Sequence, residues 1–300
     1  MIVKSLLLSC LFLHPITKIH AQTGNLKHQI EELIATKNAT VGVAVSGIEK
    51  PDTFSIMGDH HFPLQSVFKF PIAIVVLSEV DRGKLSLNQQ ITLTKEQLLP
   101  GLYSPLRDKY PNGATLPLST IIEYTVSKSD NAGCDALLRL IGGPAGVETW
   151  LLKNNFKDIS IKMNEEVQQS QWDLQFQNWI TPKAANVVLQ SFYNNSKKLL
   201  SKRNYRYLLK IMEGTETGAN RLKGQLPGHT VVAHKTGTSG TNKAGITAAV
   251  NDIGIVTLPG GKHYAISVFV ANSKENNEAN EKIIADISIL VWDYFTGKLK

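Results

Sequence analysis

Cysteine, metal-binding patterns and long hydrophobic runs are all scarce in this 300-residue chain. It has two cysteines, Cys10 and Cys134, which are too few for a disulfide framework. Its eight histidines show no spacing typical of zinc ligands, so we expect neither a metal nor another cofactor. No Gly-rich phosphate loop or internal repeat stands out either. These absences argue against a zinc hydrolase and against a disulfide-stapled fold.

The strongly apolar stretch at the N-terminus predicts export. Lys4 is its only early charge, residues 6–16 are mostly apolar, and Ala21 offers a small residue before a cleavage point. This pattern is typical of a secretory signal peptide, here residues 1–21, because the run is too short to span a bilayer. Nothing after residue 21 could span one, so we expect an exported, periplasmic protein without a stable membrane anchor.

The net charge of +7 falls to +5 when Lys4 and Lys18 leave with the signal peptide. A basic chain binds nucleic acid when it has a basic face with interleaved aromatic residues. The sequence shows no such face, so we interpret the excess charge as solvated surface. We expect no nucleic-acid partner and a monomer by default.

Strand patterns at both ends of the chain enclose a long helical middle. We predict helices over 24–36 and 278–295, strands over 41–45, 53–57, 230–235, 246–258 and 264–271, and six helical patterns without a strand between 66 and about 211. This order predicts an α/β plus all-α fold, in which an antiparallel five-stranded sheet flanked by helices carries an inserted all-helical domain. The sheet domain would comprise 22–62 and 212–300, and the helical domain 63–211.

Ser66-Val67-Phe68-Lys69 pairs a hydroxyl with an amine three residues later. In a helix that begins near Val67, both side chains lie on one face, and the serine lies at the positive end of the helix dipole. An aliphatic hydroxyl becomes a nucleophile only when a neighbour takes its proton, which Lys69 could do. Such a pair occurs about once by chance in a chain of this size, so alone it is also consistent with a solvated lysine.

Two further triplets follow in chain order. Ser129-Asp130-Asn131 lies where a loop enters a helix, and Lys235-Thr236-Gly237 ends an apolar strand. Ser129 would either cap the helix or pass a proton to a leaving nitrogen, while Asn131 would grip a substrate carbonyl. We expect Asp130 to brace the loop.

The third triplet suggests how a substrate is held. Lys235, Thr236 and Arg221 would attract a substrate carboxylate, and Gly237 would let the ligand approach the backbone. The backbone amides of Ser66 and Thr238 would form an oxyanion hole. Taken alone, Arg221 would be interpreted as a surface arginine.

Together the three triplets resemble the serine penicillin-recognising family, and residues 24–296 resemble class A β-lactamases. The resemblance implies an acyl-enzyme on Ser66. The segment from Met163 to Gln169 resembles the family's omega loop, near 160–178, and places the deacylating glutamate at Glu165 rather than Glu166. Gln169 would help Glu165 to hold a water. Whether Lys69 or Glu165 is the acylation base stays open.

Several departures resemble the PER/VEB-type extended-spectrum subgroup of class A. The residues at the usual omega-loop ion pair are Met163 and Asn178, and Asp135 replaces the usual asparagine beside the glutamate. We expect the carboxylates of Asp135 and Glu165 to repel unless one is protonated or their contacts are rearranged, and so an unusual omega-loop path. Gln65 and the segment at 219–227 add to the likeness.

This resemblance implies a serine β-lactamase that opens penicillins and cephalosporins, including oxyimino-cephalosporins, and confers β-lactam resistance. Tyr103 would line the mouth of the pocket or be a surface tyrosine. Two alternatives stay open: a penicillin-binding DD-peptidase that turns over acyl adducts slowly, and a non-catalytic β-lactam sensor or basic binding module. Glu165 favours the lactamase, because rapid deacylation needs a base to activate water.

Overall fold

The structure is a computed structural model that describes residues 14–195 and 198–299, with side chains from residue 23 onward. Most of the predicted signal peptide, residues 1–13, lies outside the described residues. Residues 14–20 belong to the backbone of the first helix, α1 (His14–Ala35), which begins earlier than the predicted helix at residue 24. No helix in the described ranges has the length and hydrophobicity needed to cross a membrane.

A five-stranded antiparallel sheet forms the centre of the fold, with strand order β2-β1-β10-β9-β8. Its strands are β1 (Thr40–Gly47), β2 (Thr53–Ile56), β8 (Val232–Thr238), β9 (Thr247–Thr257) and β10 (His263–Ser273). Gly260 and Gly261 have φ values of 85° and 77° in the turn between β9 and β10, a left-handed region that glycine tolerates. The predicted five-stranded antiparallel sheet is confirmed.

Helices cover both faces of this sheet. The helices after α1 are α2 (Lys69–Asp81), α3 (Pro105–Lys109), α4 (Leu118–Ser127), α5 (Asn131–Leu140), α6 (Gly143–Lys153), α7 (Glu165–Ser170), α8 (Pro182–Asn194), α9 (Lys202–Glu213) and α10 (Asn277–Phe295). The helices α2 to α9 all lie in the segment between β2 and β8. The predicted fold class, a sheet with a helical insertion, is therefore confirmed.

The expectation that no strand interrupts residues 66 to 211 is wrong. β4 (Gln90–Thr94) pairs antiparallel with β5 (Gly113–Pro117), and β6 (Ile159–Ser160) pairs with β7 (Trp179–Ile180), which also pairs with β3 (Phe62–Pro63). These strands are short, and β4 buries only Leu93. β4 and β5 alternate polar and apolar residues over only five positions each, and β6 and β7 have two residues each, so the pattern that marks a half-buried strand is weak in both pairs.

The two faces of the sheet contribute to separate hydrophobic clusters. On β10, Ala265 and Phe269 belong to the cluster shared with α2, α4 and α5, while Tyr264 and Ile266 belong to the cluster shared with α1 and α10. This alternation follows from the two-residue period of a strand. The sheet is therefore buried on both sides, and its edge strand β8, buried at every position except Thr238, packs against the turn at Gln65–Phe68 that precedes α2.

Candidate active site

Ser66 lies in a 3₁₀ turn, Gln65–Phe68, that leads directly into α2. Gln65 holds a φ of 46°, which is unusual for a residue with a side chain, and its Nε2 donates to Gln175 Oε1 at 2.7 Å. The α-helix thus begins two residues later than the predicted Val67. The turn nevertheless brings the Lys69 Nζ within 2.8 Å of the Ser66 Oγ.

Lys69 is fully buried and its ammonium meets several oxygen atoms at once. Besides Ser66 Oγ, its Nζ lies 2.8 Å from the carbonyl oxygen of Ser129, 2.6 Å from Asn131 Oδ1 and 2.6 Å from Glu165 Oε1. The carboxylate of Glu165 is also fully buried. A buried pair of opposite charges is tolerated when hydrogen bonds satisfy its remaining atoms, as they do here.

The other carboxylate oxygen of Glu165 accepts from two neighbours on the same helix. Gln168 Nε2 and Gln169 Nε2 donate to Glu165 Oε2 at 2.7 and 2.9 Å. Residues three and four positions along a helix lie on the same side, so α7 itself builds this contact. Glu166 is exposed, and the structure therefore brings Glu165 rather than Glu166 to the nucleophile.

Asp135 binds the N-terminus of α7 instead of opposing the Glu165 carboxylate. Its Oδ1 accepts from the backbone N–H of Glu165 at 2.8 Å, and its Oδ2 accepts from that of Glu166 at 3.1 Å and from Asn164 Nδ2 at 3.2 Å. The structure therefore shows the rearranged contacts that were expected as one way to relieve repulsion between the carboxylates of Asp135 and Glu165. Burial raises the pKa of Asp135 to about 6, although the two backbone hydrogen bonds act to lower it.

Asn178 holds the start of the omega segment where the family has an ion pair. Its Oδ1 accepts from the backbone N–H groups of Lys162 and Met163 at 2.7 and 2.9 Å. Its Nδ2 donates to the Met163 carbonyl and to Gln168 Oε1, both at 2.9 Å. A fully buried amide with all these partners replaces the missing charges.

The Ser129-Asp130-Asn131 triplet lies at the start of α5. Ser129 has a φ of 60°, and Asp130, not Ser129, caps the helix by accepting from Gly133 N at 2.7 Å. Asp130 also accepts from Ser104 Oγ and from the backbone N–H of Leu106 at 2.6 Å. Burial raises the pKa of Asp130 despite these donors. Asp130 therefore fixes the loop that presents Ser129.

Lys235 on β8 contacts the same serine from the other side. Its Nζ donates to Ser129 Oγ at 2.9 Å and to the Thr236 carbonyl at 3.0 Å. Burial, and then the charge of Lys69, hold the pKa of Lys235 well below its usual value. Thr236 places its hydroxyl 2.6 Å from that of Thr217.

Arg221 lies behind this strand and is buried, contrary to its interpretation as a surface residue. Its guanidinium donates to Thr238 Oγ1 at 2.7 Å, to the carbonyl oxygens of Gly237 and Asn251, and to Glu281 Oε1 at 3.2 Å. It therefore positions the end of β8 as well as adding positive charge beside it.

Gly237 allows a close approach, but to the chain itself. A Cβ at this position would lie 2.6 Å from the Leu64 carbonyl oxygen and 3.1 Å from Gln65 Cβ. Packing of β8 against the turn that carries Ser66 is therefore a second reason for a glycine here, beside the predicted approach of a ligand.

An open cavity of about 780 Å³ joins these elements. Among the predicted site residues its lining includes Ser66, Tyr103, Ser129, Asn131, Gln169, Arg221, Thr236 and Thr238. Tyr103 is 56% exposed at its edge. Such a volume accommodates a drug-sized ligand.

Sequence reasoning missed Gln168, Gln175 and the contacts of Asn178. Gln168 could have been found, because it lies three residues after Glu165 in a predicted omega segment. The sequence around Gln175 and Asn178 contains no motif that predicts their contacts in the site. Their contacts to Gln65 and Gln168 are visible only in the folded chain.

Residues 25–295 match the model of the beta-lactamase enzyme family. Beta-lactamase VEB-1 from Pseudomonas aeruginosa is 54% identical over 298 residues, covering 99% of each chain. Extended-spectrum beta-lactamase PER-1 from the same species is 41% identical, covering 93% of this chain and 90% of its own.

Comparison with solved structures identifies the same family as comparison of the sequences. The crystal structure of TLA-1 extended-spectrum beta-lactamase superposes with a TM-score of 0.89 at 50% identity, covering 91% of this chain and 99% of that one. A class A beta-lactamase from Bacteroides cellulosilyticus superposes with a TM-score of 0.87 at 38% identity. Cavity, motifs and relatives agree: the chain belongs to the beta-lactamase enzyme family, as a class A serine enzyme.

Proposed function

We propose that this enzyme hydrolyses the β-lactam amide of penicillins and cephalosporins, including oxyimino-cephalosporins, through an acyl-enzyme on Ser66. The main support for this proposal is the position of Lys69 Nζ, which lies 2.8 Å from Ser66 Oγ and 2.6 Å from Glu165 Oε1. A hydroxyl, a cation and a carboxylate in mutual contact can move a proton away from the hydroxyl as it attacks.

Glu165 is the group that takes this proton in our proposal. Three partners of Lys69 Nζ are acceptors only: the Ser129 carbonyl, Asn131 Oδ1 and the Glu165 carboxylate. They use all three protons of an ammonium, which supports a charged Lys69 that stabilises the site and a Glu165 that accepts. Glu165 Oε1 lies 3.5 Å from Ser66 Oγ.

In the acylation step, Ser66 Oγ bonds to the lactam carbonyl carbon and its proton passes to Glu165. The carbon–nitrogen bond then breaks, and the nitrogen takes a proton from Ser129, which is replenished by Lys235. The lowered pKa of Lys235 supports this role, because it makes the ammonium a readier donor. The backbone amides of Ser66 and Thr238 would hold the oxyanion, each contributing about 3 kcal/mol.

Deacylation requires a water on the acyl ester. Solvent exchange first restores Glu165 and Lys235. Glu165 then removes a proton from this water, whose oxygen attacks the ester carbon. The ester bond to Ser66 breaks, and the Ser66 oxygen takes a proton from Glu165. Gln169 supports the role of Glu165 by donating to its Oε2 at 2.9 Å. Gln169 also lines the cavity that a water would enter.

The substrate would bind along β8. Lys235 and the hydroxyls of Thr236 and Thr238 would bind its carboxylate, with the charge of Arg221 behind them. Asn131 uses its oxygen for Lys69, which leaves its amide nitrogen to donate to the side-chain carbonyl of the substrate. The large cavity, with Tyr103 at its edge, supports a bulky oxyimino substituent, and relatives named extended-spectrum support the same range.

The proposal is tested with Glu165→Gln and its neighbour Glu166→Gln. Each change removes one carboxylate from α7, but only Glu165 contacts Lys69. Glu165→Gln removes the proposed base of both steps, so with an oxyimino-cephalosporin it should lose sustained turnover, and the acyl adduct that forms slowly on Ser66 should persist in the intact mass spectrum. Glu166→Gln should hydrolyse the substrate and carry no lasting adduct. Rapid turnover by Glu165→Gln, or loss of turnover in Glu166→Gln alone, would contradict the assignment.

The unaltered enzyme separates the lactamase from the alternatives. With a chromogenic cephalosporin and no added metal, we expect sustained turnover that stops when Ser66 is replaced by glycine. A single stoichiometric burst would instead indicate a penicillin-binding peptidase or a sensor, both of which acylate and then stall.

We also propose export to the periplasm with removal of residues 1–21. The apolar stretch at 6–16 and Ala21 support it. Intact mass of the protein secreted by an expressing Gram-negative host should correspond to a chain that begins at Gln22. A full-length mass in the periplasmic fraction would contradict this proposal.

A further inference from the structure

A second cavity lies at the opposite end of the sheet from the nucleophile. Its volume is about 600 Å³, and it is enclosed by the β9–β10 turn, residues 227–229 and the C-terminal end of α10. It shares no lining residue with the active-site cavity. Its size lies in the range that small-molecule ligands occupy.

The wall of this cavity is mainly apolar. Leu258, Trp292 and Phe295 line it, and Trp292 is only 3% exposed. The Nε1 of Trp292 is buried and has no hydrogen-bond partner within the described part of the chain. Because this nitrogen is closed to solvent from the cavity side as well, Trp292 contributes its apolar ring to the cavity rather than a donor.

The rim of the cavity is positively charged. Lys50, Lys262 and Lys298 line it, and none of their side chains has a partner among residues 23–195 and 198–299. Glu49 is the single carboxylate in the lining, and it is bound by His263 through the backbone N–H at 2.7 Å and Nδ1 at 3.0 Å. Three uncompensated cations therefore face one acid that is already occupied.

These features select one class of ligand. An apolar wall favours a flat hydrophobic body, and an uncompensated cationic rim favours an anion over a neutral or cationic molecule. We propose that this cavity is a second binding site for a small aromatic carboxylate. The ring lies against Leu258, Trp292 and Phe295, and the carboxylate faces the rim lysines.

The four tryptophans provide a site-specific test. Trp292 lines the second cavity and Trp172 lines the active site, while Trp150 and Trp179 line neither. Titration with 6-hydroxy-2-naphthoate should shift one indole N–H signal in a ¹H–¹⁵N spectrum, the one that disappears in Trp292→Phe. The neutral analogue 6-hydroxy-2-naphthamide should bind more weakly, by calorimetry and by the same signal.

The rim is tested with the double change Lys262→Gln and Lys298→Gln. Because each exposed ion pair contributes modestly, the dissociation constant should rise about two- to thirty-fold, and cephalosporin hydrolysis should stay unchanged. The matched control is Lys202→Gln with Lys210→Gln, which removes the same charge from exposed positions on α9. It should bind the probe as the unaltered protein does.

Three results would overturn the proposal. The Trp172 signal could move instead, which would place the probe in the active site. In a second such result, none of the indole N–H signals moves at millimolar concentrations of 6-hydroxy-2-naphthoate. The amide could bind as tightly as the carboxylate, with the rim change having no effect, which would show that the cavity does not select an anion.

Discussion

At Gly237, strand β8 passes so close to the nucleophile turn that only a hydrogen atom fits. A Cβ there would lie 2.6 Å from the Leu64 carbonyl and 3.2 Å from Val67 Cγ2. Both neighbours belong to packed backbone or core, so neither can move without displacing Ser66. We expect Gly237→Ala to lower the free energy of unfolding by about 1–3 kcal/mol, as other overpacked sites do, and to slow acylation. Urea unfolding and burst kinetics measure the two effects.

Gly240→Ala is the matched control for this change. Gly240 follows β8, and a Cβ at this position has no atom within 4 Å. Its unfolding free energy should stay within about 0.5 kcal/mol of the unaltered protein, as surface changes do. Equal destabilisation by the two alanines would show that the contact with Leu64 is not the cause.

Single residues were predictable where the chemistry is local in sequence. Ser66 and Lys69 are three positions apart, and the structure places them 2.8 Å apart. Lys235 and Ser129 could be assigned to one site only by considering the three triplets together, because 106 residues separate them in the sequence. The buried contacts of Arg221 could not be inferred, because they depend on carbonyl groups of two strands.

At the scale of elements, the short helix α7 depends on Asp135 for its N-terminus. Three N–H groups donate to this carboxylate, one from Asn164 and two from the backbone of Glu165 and Glu166. In Asp135→Asn, either amide orientation turns an NH₂ group toward at least one of these donors. We expect this variant to lose about 1–3 kcal/mol of stability for each donor left unsatisfied, and to deacylate more slowly.

The same residue predicts a pH dependence. The pKa of Asp135 is about 6 in the folded protein against an ordinary value of 3.8, so the folded state binds more protons than the unfolded state between these values. Stability from this group is therefore present at low pH and is lost as pH rises through 6, by about 3 kcal/mol at most. Urea unfolding at pH 4.5, 5.5 and 7 should show this loss, which Asp135→Asn should lack.

Asp173→Asn provides the comparison for that experiment. Asp173 lies in the same omega segment but is exposed. This variant should keep the pH slope of the unaltered protein. The assignment fails if Asp135→Asn keeps that slope too.

Asn178 fixes the other end of the omega segment. In Asn178→Asp, the Met163 carbonyl and Gln168 Oε1 would each lose a donor and face a carboxylate. We expect faster hydrogen exchange of amides at 163–178 and slower deacylation, because Gln168 also donates to Glu165. Gln177→Glu makes the same chemical change at an exposed neighbour and should leave exchange unchanged. Protection retained in Asn178→Asp would contradict this role.

Elements were predictable where hydrophobic periodicity is strong. The predicted helix at 278–295 matches α10 to within one residue, and the five strands of the main sheet were all anticipated. β4 and β5 were missed because each spans only five residues and Leu93 is the one buried side chain between them. The 3₁₀ turn at Gln65 was missed because its geometry is imposed by β8 and by Gln175, which are distant in sequence.

At the scale of the whole molecule, a series of buried charges runs through the sheet. Glu281 on α10 binds Arg221, and Asp252 on β9 binds His234, whose Nδ1 lies 2.9 Å away. Lys235 is the next residue on β8, and Asp252 raises its pKa against the larger lowering by burial and by Lys69. The Asp252 carboxylate, on the far side of the sheet, thus favours the charged form of Lys235, whereas the Arg221 charge disfavours it. No sequence pattern showed this, because the groups come from four separate segments.

Asp252→Asn tests whether this distant charge matters for catalysis. An asparagine keeps an acceptor for His234 but removes the negative charge, so the pKa of Lys235 should fall further. If Lys235 must be charged to bind the substrate carboxylate, the alkaline limb of kcat/KM against pH should move to lower pH, with KM rising before kcat falls. Asp59→Asn removes an exposed carboxylate and should leave the limb in place. An unchanged limb in a folded Asp252→Asn would show that burial and Lys69 alone set the charge of Lys235.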